Sequence, residues 1–144
     1  MPEPGVPTFN HVAISVTPSQ LDEQGRHDIV DFYSRVFDWQ ELAVMTLDRK
    51  RLVLGCYKLD QFVFLHADDE PMRAPQMDHF GMGVATEEEL DTYLARAREY
   101  KEHDDRVRII DKHVDDFTQL SLVSFYTGFL LPVMVEVQYF RYNH

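Results

Sequence analysis

Two stretches of this chain open alike: "FNHVAISV" at residues 9–16 and "MDHFGMGV" at residues 77–84. Each puts a histidine third, continues with a strand-like apolar run and ends on valine. The segments behind them are also alike. After the first stretch, "TPSQLDEQGRH" (17–27) reads as a polar turn, and Ile29, Phe32, Tyr33, Val36 and Phe37 then recur on one helical face. Three extended runs come next: "ELAVMTL" (41–47), "RLVLGCYKL" (51–59) and "QFVFLHA" (61–67). After the second stretch, Thr86 and Glu89 make a capping box. It opens a helix with Leu90, Tyr93, Leu94 and Ala97 on one face. "RVRIIDKHV" (106–114), "QLSLVSFYT" (119–127) and "VMVEVQYF" (133–140) then read as strands. The chain is therefore read as one α+β domain over 1–144, made of two tandem βαβββ modules. The modules span about 8–67 and 77–142, with "DDEPMRAPQ" (68–76) as linker. Duplicated modules of this kind pair their sheets around a shared concave surface, an incompletely closed barrel.

Composition narrows the function classes. Of 144 residues, 44% are hydrophobic and 27% charged, ordinary for a soluble globular protein. A net charge of -11 argues against nucleic acid or an anionic membrane as partner. One cysteine, Cys56, excludes an internal disulfide framework and a cysteine-rich zinc site. "MPEPGVPTF" has neither the basic nor the apolar region of a signal peptide, so a reducing cytoplasm is expected. Residues 117–135 carry no charge, but Gly128 and Pro132 bracket a turn there. They read as a buried β-hairpin and not as a membrane span.

Strand residues alternate between faces. His11, Ala13 and Ser15 share one face of the first strand, and His79, Gly81 and Gly83 share one face of the fifth. Both histidines thus stand among small residues, which leave a cavity. In the last strand Glu136 is a lone carboxylate among apolar neighbours, and a buried carboxylate needs a cation. No arginine or lysine lies between Lys112 and Arg141. A divalent metal held by His11, His79 and Glu136 satisfies all three, as the two-histidine, one-carboxylate triad of non-heme Fe(II) enzymes does. Zinc, manganese and nickel fit the same set. The residues alone leave a structural polar cluster open as the other reading.

The paired modules, with "NHVAISV", "DFYSRVFDW", "DHFGMGV" and "VMVEVQYF", resemble the vicinal oxygen chelate superfamily over about residues 8–142. That superfamily includes glyoxalase I, extradiol dioxygenases, fosfomycin- and bleomycin-resistance proteins and isomerases. The resemblance implies metal ligands on the first and last strand of each module, which match His11, His79 and Glu136. The remaining position falls on Phe64, which cannot ligate, so the pattern departs from a metal-binding glyoxalase I. The closer likeness is to extradiol dioxygenases. It implies His66 as catalytic acid/base and Tyr126, ten residues before Glu136, as a hydrogen-bonding catalytic residue. "TGFLLP" replaces the Asp-Pro-x-Gly-Asn turn common in that family.

The function this resemblance implies is Fe(II)-dependent ring cleavage of a small catechol-like aromatic by O2, with His66 moving a proton near neutrality. Two alternatives stand beside it. One is a metal-dependent isomerase or glyoxalase-like reaction needing no O2. The other is a non-catalytic, bleomycin-resistance-like binding cleft. The residues leave two arrangements open: the modules pair within one chain, or they exchange in a homodimer, where His11 of one copy meets His79 and Glu136 of the other. The other features have plainer readings. "GMG" (81–83) is no dinucleotide loop, since no third glycine opens a helix. Phe37 and Trp39 are expected to cap the first helix, Cys56 to be a small core residue, and "HVDD" (113–116) to be a solvated turn. His27, His103, His113 and His144 are expected to be solvated.

Overall fold

The computed structural model describes residues 3–142. The first module runs β1 (His11–Val16), a 3-10 turn (Pro18–Leu21), α1 (Glu23–Phe37), β2 (Gln40–Glu41), a second 3-10 turn (Ala43–Met45), β3 (Arg51–Gly55) and β4 (Phe62–Ala67). The second runs β5 (His79–Gly83), α2 (Glu87–His103), β6 (Arg108–Asp116), β7 (Leu120–Gly128) and β8 (Met134–Tyr142). Each module builds a four-stranded sheet, ordered β1-β4-β3-β2 and β5-β8-β7-β6. The first strand of each lies parallel to the last, and the other pairs are antiparallel. This is the two-module α+β architecture read from the sequence. Among the described residues the two sheets remain separate ladders, and no barrel closes.

Local chemistry explains where the elements begin and end. Asp22 accepts the Gly25 N–H at 2.8 Å and caps α1. Thr86 accepts the Glu89 N–H at 3.1 Å and caps α2. The polar segment read as a simple turn is instead a 3-10 turn running into α1. Gln20 accepts the Thr17 N–H there at 3.2 Å. "ELAVMTL", read as a strand, keeps only its first residue in β2. Thr46 donates to the Glu41 carboxylate at 2.7 Å, a local bond that competes with the ladder, and Val44 is left exposed. "HVDD" is the end of β6 and not a turn.

The helix-covered faces of both sheets feed one core. Ile14, Val16, Leu52, Leu54, Val63 and Leu65 enter it from the first module; Val123, Phe125, Val135 and Val137 enter from the second. The junction between modules is aromatic. Phe32 of α1 stacks on Phe129, after β7, with centroids 4.7 Å apart. Tyr33 donates to the Phe129 carbonyl at 3.0 Å, and its burial pushes the phenol pKa upward. Tyr100 of α2 donates to Asp31 of α1 at 2.8 Å. Trp39 stacks on Tyr33 and Phe37 inside this cluster, as expected of an apolar cap.

Residues 117–135 contain the whole of β7, its turn and the start of β8, so the uncharged stretch is a hairpin. Leu130 takes a left-handed φ of 60° in that turn, where Gln20 donates to its carbonyl at 2.8 Å. Among the described residues no helix is long and apolar enough to cross a membrane. Cys56 is partly buried against the core, which pushes its thiol up to about 12. His144 lies outside the described residues.

Candidate functional site

The open faces of the two sheets carry the histidines. In β1, Ile14 and Val16 are buried while His11 and Ala13 are exposed. In β5, His79, Gly81 and Gly83 are exposed, and Phe80 and Met82 pack against the core. Register aligns the modules. Ala13 pairs with Phe64 across β1 and β4, and Gly81 pairs with Glu136 across β5 and β8. Phe64 and Glu136 are therefore equivalent positions, one aromatic and one carboxylate.

The second module assembles a polar cluster. His79 Nε2 lies 3.6 Å from Glu136 Oε1. His79 Nδ1 lies 2.6 Å from the Met77 carbonyl. A carbonyl only accepts, so Nδ1 carries a proton, and Nε2 is the ring atom aimed at the carboxylate. In the neutral imidazole this sets two acceptors face to face, an arrangement that a cation between them would satisfy. The Glu136 side chain is only 12% exposed, and among the described residues its ion-pair partner is His79. The separation is less than two ligand bonds of about 2.1 Å, so one ion reaches both atoms. A Cβ added at Gly81 would sit 3.6 Å from Glu136 Oε1; glycine leaves this side of the carboxylate open.

Tyr126 pairs with Glu136 across β7 and β8, and its ring meets His79 edge-on at 4.9 Å. Burial, then the neighbouring carboxylate, pushes its phenol up to about 12. Gln138 donates to Glu136 Oε2 at 3.5 Å and to Ser124 at 3.4 Å. His79, Glu136 and Tyr126 are thus together on one face.

The first module offers less. His11 stacks on Phe62 with centroids 4.8 Å apart. Its Nδ1 is 2.6 Å from Asn10 Oδ1, which leaves Nε2 free, the same orientation as His79. His66 stands on the same face near Phe64, opposite Ser15 and Arg51. Among the described residues no three metal-ligating side chains gather within the chain. His11 and His66 belong to one open face; His79, Glu136 and Tyr126 belong to the other. The residues fit a divalent ion as two part-sites, and neither face holds the whole set.

Sequence reasoning missed His113. It is stacked on Tyr126, 5.8 Å between centroids and 8° between planes. A register shift between Ile110 and His113 brings it to the open face. Simple alternation from Ile110 points Lys112 there instead, so no pattern in the sequence signals it. Asn10 also went unread, and its place immediately before His11 was the available signal.

No protein-family model matches the chain, and no curated protein matches it in sequence. Solved structures match it over nearly their whole length. A glyoxalase/bleomycin resistance protein/dioxygenase from Alicyclobacillus acidocaldarius is 16% identical, with TM-score 0.66, covering 92% of this chain and 91% of that one. A lactoylglutathione lyase from Agrobacterium tumefaciens is 15% identical, with TM-score 0.59, covering 92% of each. The fosfomycin resistance protein FosX from Listeria monocytogenes is 12% identical, with TM-score 0.61, covering 94% of each. At such identities the likeness is one of fold.

Proposed function

We propose that the chain is a metal-dependent enzyme of the vicinal oxygen chelate kind, with each site completed by two copies. His79 and Glu136 of one copy and His11 of a second hold one divalent ion. The observation that carries this reading is His79 Nε2 lying 3.6 Å from the buried Glu136 carboxylate while Nδ1 is already committed to Met77. The separation of the part-sites onto two open faces supports a second copy, as do the exposed aromatics Phe140 and Tyr142 on the Glu136 face.

When bound, the metal supplies a Lewis acid and a chelation point for two neighbouring substrate oxygens. The first reading is an Fe(II) extradiol-type cleavage of a catechol-like aromatic by O2. Phe64 supports it, because three protein ligands leave room for a two-oxygen substrate. His66 of the second copy takes the substrate proton and returns it later; Tyr126 donates a hydrogen bond to a substrate oxygen. His66→Ala lowers turnover by about two to four decades and leaves metal content intact. A lyase or isomerase reaction without O2 stands equally near, since a lactoylglutathione lyase shares the fold. Oxygen uptake with a catechol separates the two.

The test is metal stoichiometry on protein purified without oxygen or chelators. His11→Ala and Glu136→Ala each lose metal. Mixed and reassembled, they recover roughly one quarter of the sites, because half the dimers are mixed and each holds one intact set. Undiminished metal in both variants sinks the proposal. Loss in both with no recovery on mixing removes the shared site.

A further inference from the structure

We infer that His113 is a positioning residue for Tyr126; this rests on the reading of Tyr126 as a substrate-contacting group. The open face of the second sheet carries His79 on β5, Glu136 on β8, Tyr126 on β7 and His113 on β6, with Tyr126 directly opposite Glu136. Tyr126 is clamped from two sides. His79 meets it edge-on, and His113 lies flat against its ring.

The bulge is what puts His113 there. With the register of Ile110 against Tyr126 continued, Lys112 takes the open face. The shift sends Lys112 to the helix side, where it donates to Glu87 at 2.7 Å and Asp91 at 2.8 Å. It turns His113 outward, opposite Ser124. A bulge interrupts the ladder, and bulges beside functional sites re-aim side chains. His113 makes one long contact besides its stack, Nδ1 to the Asp111 carbonyl at 3.3 Å, and its Nε2 lies 3.8 Å from Asp115. Neither contact fixes the ring as the parallel stack on Tyr126 does. The phenol is therefore held over Glu136 by a residue that touches neither the proposed ion nor its ligands.

The experiment is aromatic NMR relaxation of Tyr126 on the metal-free protein, with thermal midpoints as a folding control. His113→Ala speeds ring flipping of Tyr126 by roughly twofold to tenfold, the range an aromatic stack supplies. His113→Phe restores the slow flip, and His113→Gln does not. On nickel-loaded protein, 4-nitrocatechol binding weakens by a similar factor in His113→Ala and recovers in His113→Phe, with nickel affinity unchanged throughout. A wild-type flip rate in His113→Ala overturns the inference, as does rescue by Gln and not by Phe. If wild-type nickel protein fails to bind the catechol, the metal reading fails, while the ring measurement still decides on His113.

Discussion

The two open faces are built on one plan and carry different chemistry. Both begin with a histidine whose Nδ1 is anchored and whose Nε2 is offered. Two residues further on, across the parallel partner strand, one face has Phe64 and the other Glu136. On the first face the histidine leans on Phe62; on the second it faces a carboxylate and a tyrosine. The two backbones follow the same strand order and register, and the side chains differ. The faces are complementary and not redundant, one supplying a histidine and an apolar wall, the other most of the charge.

The largest expected effect concerns what the modules share. Phe129 is fully buried, stacks on Phe32 and presents its carbonyl to Tyr33, so it belongs to both modules at once. Phe129→Ala costs about 3–5 kcal/mol in chemical denaturation, and the protein still unfolds in one transition. Two separate transitions in the wild type show instead that the modules fold independently.

The next effect erases the difference between the faces. Glu136→Phe makes the second face like the first and, if the proposed ligand set holds, weakens metal binding at least about a hundredfold. The converse change, Phe64→Glu, gives the first face a carboxylate. In the proposed site it would add a fourth protein ligand, so metal is retained while 4-nitrocatechol binding falls roughly tenfold. Equal metal affinity in wild type and Glu136→Phe, by calorimetry, breaks the comparison.

The smallest effect belongs to the second module alone. Arg141 first, then Lys112, hold the Glu87 carboxyl below its ordinary value of 4.5. A depressed carboxyl contributes stability above its unfolded pKa and loses it as pH falls through the folded one. Glu87→Gln therefore destabilises by about 0.5–1 kcal/mol at pH 7, and the gap from wild type closes below pH 4.5. Thermal midpoints at pH 7 and pH 3 check this.

Much of this was legible in the residues themselves. Alternation in "HVAISV" and "HFGMG" separates the two faces because a half-buried strand must put bulky groups on its covered side. The helix faces come from their 3.6-residue spacing, and the buried residues of α1 are the ones that spacing selects. Where the reading failed, tertiary or side-chain contacts overrode the local pattern. The Thr46–Glu41 bond ends β2, and a register shift invisible to alternation places His113. The distribution of His11 and His66 on one face and Glu136 on the other is also beyond local pattern. Spacing says which residues share a strand face, and helix packing decides which faces meet.

The sealing of both sheets against one shared core has an evolutionary consequence. Ile14, Leu65, Phe125 and Val137 bear the cost of folding, while His11, His79, Gly81 and Gly83 stand exposed. Exchanging an exposed side chain on these faces barely draws on the stability margin, so such a chain is free to try new open-face chemistry without first acquiring compensating mutations. Lineages built this way can drift among reactions while their hydrophobic interior stays still.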